Sequence, residues 1–139
     1  MADVENIKVV FELVTPTALA VSENVDMVVV PGIDGDFGVL PGHSPVLTTI
    51  RPGLIKMYTS GEVTKSLFVE GGFAEANVKG CTVLAEGATD ILDISAEDAQ
   101  ARLVVARKAL ADTNGTIAKD EVKVAEAMVM AASGNTTQH

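Results

Sequence analysis

The spacing of apolar residues changes once along the chain, near Gly87, and this change limits the possible folds more than any other feature. Before it, apolar residues alternate or form short runs, broken by turn residues about every eight to twelve positions, which is typical of an antiparallel sandwich or barrel. After it, they recur at spacings of three and four, which predicts helices. The predicted fold class is therefore α+β with two domains: a mainly β N-terminal sandwich or barrel over residues 1–88 and an antiparallel α-helical hairpin over 89–139.

Seven strands are predicted in the first half. They cover residues 7–13, 25–30, 46–50, 54–59, 63–69, 73–78 and 81–84. Glycine- and proline-containing pairs separate most of them, because these residues accept positive φ or preset a turn. Ser60-Gly61 and Lys79-Gly80 predict tight hairpins. The single cysteine, Cys81, falls within a strand and is expected to be a buried residue instead of a reactive thiol.

The second half predicts two helices, at about 96–111 and 117–133. Ser95 is a candidate N-cap, and the acidic residues Glu97 and Asp98 follow it in the first turn. The segment from Asp112 to Gly115 is predicted to end the first helix, and Thr116 or a neighbour to cap the second. The apolar stripes consist of Ala99, Leu103, Ala106 and Leu110 on the first helix, and of Ala118, Val122, Ala125, Val129 and Ala132 on the second. Alanines bury little area, so we expect a weakly held hairpin that can move. Residues 135–139 are expected to fray.

The charge of the chain excludes some classes of partner. A net charge of -9 and a pI near 4.5 repel nucleic acid and anionic lipid surfaces, so neither nucleic-acid binding nor lipid insertion is expected. No apolar run approaches the ~20 residues of a membrane span. Residues 1–5 lack the features of a secretory signal or a transit peptide, which predicts a protein that starts here and stays in the cytosol.

The densest cluster of glycines and prolines lies at residues 29–45, which read Val-Val-Pro-Gly-Ile-Asp-Gly-Asp-Phe-Gly-Val-Leu-Pro-Gly-His-Ser-Pro. Ile-Arg-Pro-Gly-Leu-Ile follows at 50–55 and Gly-Gly-Phe-Ala-Glu at 71–75. Together these segments resemble the epsilon subunit family of bacterial-type F1Fo ATP synthases, which is homologous to the mitochondrial delta subunit. The similarity runs along essentially the whole chain and implies a sandwich followed by a helical hairpin.

The resemblance implies a non-catalytic rotor component of the central stalk, which couples the proton-driven c-ring to ATP synthesis and needs no cofactor. Its implied partners are the gamma subunit and the c-ring of Fo, with the alpha and beta subunits as further candidates through the hairpin. By the same resemblance, Asp36 faces the c-ring, while His43, Pro45, Leu47 and Phe73 lie near gamma. The implied location is peripheral, at the cytoplasmic face of the bacterial inner membrane.

Two regulatory properties of the resembled family are not expected here. Some members bind ATP through Ile/Leu-Asp-x-x-Arg-Ala; Leu92 and Asp93 match only its start, because Ala96-Glu97 stand where Arg-Ala should be. Self-inhibition uses a basic second helix that meets acidic segments of the beta subunits. Residues 117–133 carry two lysines against three acids, a net charge of -1, so only weak inhibition is expected. A folded and an extended hairpin use the same helices, and the sequence is compatible with both.

Other interpretations of the glycine-rich cluster remain open at this point. It lacks the Lys-Ser/Thr of a phosphate loop, and Asp34, Asp36 and His43 are too few ligands for a metal site, so neither is expected. Asp36 can also be read as a solvated turn residue and His43 as a hydrogen-bonded loop residue. A rival hypothesis is a free-standing ligand-binding sandwich with the hairpin as a lid and residues 31–45 as a pocket wall. Another is a small hydrolase that uses His43 and Asp36.

Overall fold

The structure is a computed structural model that describes residues 7–137. The described residues divide into two compact units, one up to Ala88 and one from Thr89 onward. The first unit contains the β-structure and the second contains two helices, so the predicted fold class is confirmed. Residues 1–6, where the prediction about leader segments falls, and residues 138–139 lie outside the described part.

Ten strands form one continuous sheet within the described chain. Their bounds are β1 Val9–Thr15, β2 Ala18–Val25, β3 Met27–Gly32, β4 Gly35–Val39, β5 Val46–Ile50, β6 Gly53–Thr59, β7 Glu62–Val69, β8 Gly72–Asn77, β9 Gly80–Ala85 and β10 Ala88–Asp90. The strand order is β10-β7-β6-β3-β5-β8-β9-β1-β2, with β4 paired to β3 at the side. The ten strands therefore belong to one curled sheet and not to two separate sheets.

The two ends of this strand order approach each other. Lys65 Nζ on β7 lies 3.1 Å from Glu23 Oε2 on β2, and Asp26 N donates to Tyr58 O at 2.9 Å. Alternate residues of the strands fill the enclosed core, as period-two burial requires. Its fully buried members include Phe11, Leu13, Val28, Val30, Ile55, Met57 and Val83. Cys81 is buried among them as predicted, and this burial raises the pKa of its thiol to about 12.

The strand prediction was incomplete and in one respect wrong. β2, β4 and β10 were missed because their sequences are short, polar or rich in glycine, and pairing with neighbours overrides these low strand propensities. The expectation of a wholly antiparallel sheet fails at one place, because β1 pairs with β9 in parallel. The strands of a parallel pair are joined by a long connection, and the local spacing of apolar residues does not show which distant strands pair.

The two predicted hairpin turns are present. Ser60 and Gly61 both have positive φ, 56° and 80°, as the two-residue turn that fits the strand twist requires. The second turn is centred on Val78 and Lys79, because Asn77 pairs with Gly80, and Lys79 N donates to Asn77 Oδ1 at 2.8 Å. The predicted turn is therefore present, but it is centred one residue earlier than predicted.

Asp26 joins three segments of the sandwich. Its carboxylate accepts from Lys8 Nζ, which precedes β1, and from Ser60 N at 2.7 Å in the β6–β7 turn. These hydrogen bonds hold the pKa of Asp26 below its usual value, and the one from Lys8 has the larger effect. This carboxylate thus stabilises the folded sandwich in its ionised form.

The helices are α1, Ala96–Thr113, and α2, Thr116–Thr137, after a 3-10 turn at Ile91–Asp93. Ser95 Oγ accepts from Asp98 N at 2.9 Å, which confirms the predicted N-cap, and Asn114 ends α1 in the left-handed conformation. For α2 the cap is the neighbour of Thr116: Lys119 N donates to Gly115 O, so Gly115 occupies the N-cap position, one of the two alternatives that the prediction left open, and Thr116 is already helical. The predicted end of the second helix near residue 133 is early, because α2 continues to Thr137, while the fraying of this end stays a prediction.

The helices pack as a hairpin through small side chains. Leu103, Ala106 and Ala125 are buried in its core, with Val122 and Val129 against them, in agreement with the predicted stripes. Among the described residues, ion pairs cross between the helices from Arg102 Nε to Glu121 Oε1 at 2.7 Å and from Arg107 Nη2 to Glu126 Oε2 at 3.5 Å. Neither helix, over its described residues, is long and apolar enough for a membrane span.

Replacing Gly72 by alanine should cost much more stability than the same change at Gly35. Both have similar positive φ, 141° and 136°, so the backbone strain of about 1–2 kcal/mol is common to both. A Cβ at Gly72 would lie 1.9 Å from Leu84 O, whereas one at Gly35 has nothing within 4 Å. We expect a further loss of about 1–3 kcal/mol for Gly72→Ala, measured by urea unfolding. Equal losses would contradict the close approach of β8 and β9.

Asp26→Asn should destabilise the chain in a pH-dependent way. Because the folded-state pKa of Asp26 is lowered, its contribution is fully present above the ordinary value of 3.8 and is lost as pH falls through the lower folded value. Thermal unfolding of wild type and variant should therefore differ at neutral pH and converge in strong acid. Glu62→Gln, at an exposed site in the same turn region, is the matched control. A difference that persists unchanged into acid would contradict the assignment.

Candidate functional site

The glycine-rich cluster forms the β3–β4 hairpin and the loop after it. Gly32 pairs with Gly35, so Ile33 and Asp34 form a two-residue turn, and Asp36 on β4 lies opposite Pro31 on β3. We call residues 32–36 the tip. An open cavity of about 280 Å³ lies beside it, lined by tip residues together with Phe37, Val46 and Thr48. The cluster therefore presents an exposed, regularly paired turn, and part of what was predicted as loop is strand.

Arg51 holds the tip from the β5–β6 connection. Its Nη1 donates to Gly32 O and its Nη2 to Asp36 Oδ1, both at 2.5 Å, while its backbone N donates to Pro31 O at 3.0 Å. The Asp36 side chain is 59% exposed and the Arg51 side chain 41%. Sequence reasoning assigned no role to Arg51. Its signal was a cation directly after a strand, with Asp34 and Asp36 in an earlier hairpin, and only the strand pairing shows that Arg51 meets Asp36.

His43 and Pro45 lie in the loop between β4 and β5. His43 is half-buried, with Nδ1 2.5 Å from Ser44 O, and Pro45 is exposed. In residues 7–137 no hydrogen bond joins His43 to Asp36: Asp36 accepts from Arg51, and His43 Nδ1 lies at Ser44 O. The described structure thus does not show the hydrogen-bonded pair that the hydrolase hypothesis used.

Leu47 and Phe73 lie on one outward face of the sheet, which we call the Phe73 face. Leu47 on β5 pairs with Glu75 on β8, and Phe73, next but one along β8, pairs with Leu84 on β9. Leu47 is 73% exposed, Phe73 55% and Leu84 56%. Val14 and Leu84 were missed as members of this face, although both alternate with buried residues. The face consists of Glu12, Val14, Leu47, Phe73, Glu75, Thr82 and Leu84.

The Phe73 face has a shallow apolar depression at one end. A cavity of about 390 Å³ is lined by Val14, Pro16, Phe73 and Leu84, among others. Two acids, Glu12 and Glu75, are exposed next to this apolar row, one on either side of Thr82. The face is thus suited to contact with another polypeptide surface, since exposed apolar patches with a polar rim are typical of protein interfaces.

The residues that match the start of the nucleotide motif lie before α1. Leu92 and Asp93 are exposed in the 3-10 turn, and Ala96 and Glu97 begin the helix. Glu97 places an acid in the first helical turn, where a phosphate would otherwise be favoured. Over residues 7–137 there is also no group of three side chains that could hold a metal ion.

Comparison with known proteins identifies the sandwich. Residues 8–91 match the family model of the "ATP synthase, Delta/Epsilon chain, beta-sandwich domain". The chain belongs to the ATP synthase delta/epsilon chain family. The resemblance drawn from the glycine-rich cluster is thereby confirmed. Membership in the delta/epsilon family favours the rotor interpretation over the ligand-binding module and over the hydrolase.

Relatives of the delta/epsilon family cover almost the whole chain. The ATP synthase epsilon chain of Paramagnetospirillum magneticum is 48% identical over 130 residues, 91% of this chain and 98% of the relative. That of Rhodospirillum rubrum is 47% identical over 128 residues, 89% and 96% of the two chains. Both the sandwich and the helices thus fall within the similarity.

Two solved structures share the fold. A chain of the Euglena gracilis mitochondrial ATP synthase, in a structure of OSCP, F1 and c-ring, matches with a TM-score of 0.75 and 19% identity, over 94% of this chain and 82% of that one. A chain of the Tetrahymena thermophila mitochondrial ATP synthase, in a structure of the central stalk and c-ring, matches with a TM-score of 0.59 and 15% identity, over 94% and 97%. At such identities the likeness concerns the fold.

Proposed function

We propose that this chain is the epsilon-type, non-catalytic rotor subunit of an F1Fo ATP synthase, and that it couples rotation of the c-ring to the gamma subunit. The observation that carries the proposal is the Phe73 face, an exposed apolar face on a family member whose relatives are ATP synthase epsilon chains. We infer a role in mechanical coupling, in which the synthesis chemistry lies on other subunits. The role needs no cofactor in this chain.

The Phe73 face is proposed as the gamma contact. Leu47, Phe73 and Leu84 expose apolar surface that the isolated chain does not bury. Removing roughly 100 Å² of such surface from water contributes about 2.5 kcal/mol before the entropic cost of association, so these side chains are suited to anchor a larger contact. His43 and Pro45, in the loop that leads into β5, would extend it. A second copy is a poorer occupant, because a symmetric contact would bring the acids Glu12 and Glu75 near their own copies.

The tip is proposed as the c-ring contact. Asp36 is exposed and is held through one carboxylate oxygen by Arg51, so its other oxygen is available to a donor on the polar loops of the ring. The tip and the Phe73 face belong to one sheet, joined through β3, β5 and β8. A rigid sheet of this kind can transmit torque from ring to gamma without changing shape. We place the subunit peripherally, on the cytoplasmic side of the bacterial inner membrane, as a part of proton-driven ATP synthesis.

The helical hairpin is proposed to regulate ATP hydrolysis only weakly and not to bind ATP. Over residues 117–133 its second helix has a net charge of -1, and acidic segments on the alpha or beta subunits would not attract it strongly. Two of its acids, Glu121 and Glu126, already pair with arginines of α1. These pairs are half-exposed and therefore worth less than about 1 kcal/mol each, so the hairpin could still open.

Phe73→Glu should uncouple the enzyme, because it places a charge in the proposed apolar contact. Membranes that carry the variant in place of the wild-type chain should lose most proton-driven ATP synthesis while the chain itself remains folded. The control is Val63→Glu, since Val63 is also an exposed apolar strand residue but lies on β7, outside the Phe73 face. ATP synthesis in membrane vesicles is the measurement. Full synthesis with Phe73→Glu would refute the gamma contact.

Truncation after Asp90 tests the proposed regulation. It keeps all ten strands and removes both helices. We expect ATP hydrolysis by the membrane enzyme to rise less than about twofold, with ATP synthesis retained, because a helix of net charge -1 gains little from an acidic surface. A several-fold release of hydrolysis would show that the hairpin inhibits by contacts other than charge. The separate loss of synthesis would indicate that the helices take part in coupling.

A further inference from the structure

Arg51 is the one cation that reaches the tip among the described residues: it makes two hydrogen bonds to the tip and a third to Pro31 directly before it. Its backbone N–H binds Pro31 O at 3.0 Å, while its guanidinium divides between Gly32 O and Asp36 Oδ1, each at 2.5 Å. A guanidinium is a planar fork with fixed donor directions. Two acceptors on opposite strands of the hairpin therefore define the place of the fork, and the fork defines the place of one Asp36 oxygen.

Little else in the described structure fixes the Asp36 side chain. It stands between Gly35 and Phe37, with Gly38 further along β4, and more than half of its surface is exposed. No other hydrogen bond to this carboxylate is present within residues 7–137. Without Arg51 the side chain would be free to change rotamer, and a partner would have to order it on binding, at a cost in conformational entropy.

Arg51 itself is well placed to hold Asp36. It follows directly on Ile50, the buried last residue of β5, and it precedes Pro52, which restricts the backbone conformation of the residue before it. Its backbone N–H donates to Pro31 O on β3. Nearby, Ile33 N in the β3–β4 turn donates to Thr49 O on β5 at 2.9 Å. The base of the Arg51 side chain is thus fixed to the same sheet that carries the tip.

We propose that Arg51 is a positioning residue for the c-ring contact: it orients Asp36, so that one carboxylate oxygen is held and the other is presented to the ring. The proposal rests on the proposed function, since it assumes that Asp36 meets the ring. Arg51 also offsets the charge of Asp36, so the ring meets a polar pair instead of an isolated anion. A purely structural role is weaker as an explanation, because ion pairs between half-exposed side chains add little to stability.

A double-mutant cycle tests the proposal. F1 reconstituted with full-length wild type, Asp36→Asn, Arg51→Gln or the double variant is bound to F1-depleted membranes that contain the c-ring, and the apparent Kd is measured together with proton-driven ATP synthesis. We expect each single change to weaken attachment by roughly two- to fivefold. The double variant should be no weaker than Asp36→Asn alone, since Arg51 acts through Asp36.

Two further variants separate positioning from charge and from folding. Arg51→Lys keeps the charge but cannot reach two acceptors as a fork, so it should restore attachment only in part. Lys56→Gln, which removes a cation from β6 away from the tip, should leave attachment unchanged. Melting temperatures of all variants should stay close to that of the wild type, so that lost attachment reflects the contact.

The outcomes distinguish this inference from the proposed function. If Asp36→Asn weakens attachment and Arg51→Gln does not, the positioning role is refuted and the ring contact stands. If the two changes add independently, Arg51 acts without Asp36 and the inference is again refuted. If Asp36→Asn attaches and couples like the wild type, the proposed ring contact itself is wrong and the inference falls with it.

Discussion

The parallel pairing of β1 with β9 is the contact on which the sandwich depends. Residues 10–14 pair with residues 80–84, so a strand near the start of the chain is joined to the last long strand of the sheet. At Gly80 a Cβ would lie 2.2 Å from Val10 O, so the close approach of these strands needs a glycine there. Contacts between residues so far apart in sequence form only after much of the chain is ordered, so this pairing should come late in folding.

The same pairing assembles the candidate gamma surface. It places Val14 beside Leu84, and β8 on the other side of β9 adds Phe73 to this row. Each of these residues alternates with a core residue of its own strand, so the inward side chains stabilise the sheet while the outward ones form the apolar row. Fold stability and the proposed interface thus come from the same pairing. A change of register by one residue would lose both, because it exchanges the two faces.

Local sequence patterns were sufficient to predict the fold class, both helices, most strands and the burial of Cys81. They failed where pairing decides the structure: three of the five residues of β4 are exposed glycines or an exposed aspartate, yet it is a strand because β3 lies beside it. Arg51 was missed for the same reason. Nothing in the local sequence shows that it meets Asp36, fifteen residues earlier in the chain. The family resemblance identified Asp36 and Phe73 as candidate contact residues. The residues of this chain that lie beside them, Arg51 and Leu84, became visible only through strand register.

The two units differ in how they are stabilised, and this difference bears on what each can do. The sandwich has a core of large side chains such as Phe11, Leu13 and Met57, whereas the hairpin core, over the described residues, is formed by Leu103 with alanines and valines. An alanine-rich contact loses little buried area when the helices separate, and the two ion pairs across it are replaceable by water or by other partners. Opening the hairpin therefore costs far less than opening the sheet. A rotor element needs a part that stays rigid under load, and the large side chains of the sandwich core suit the sandwich to this need.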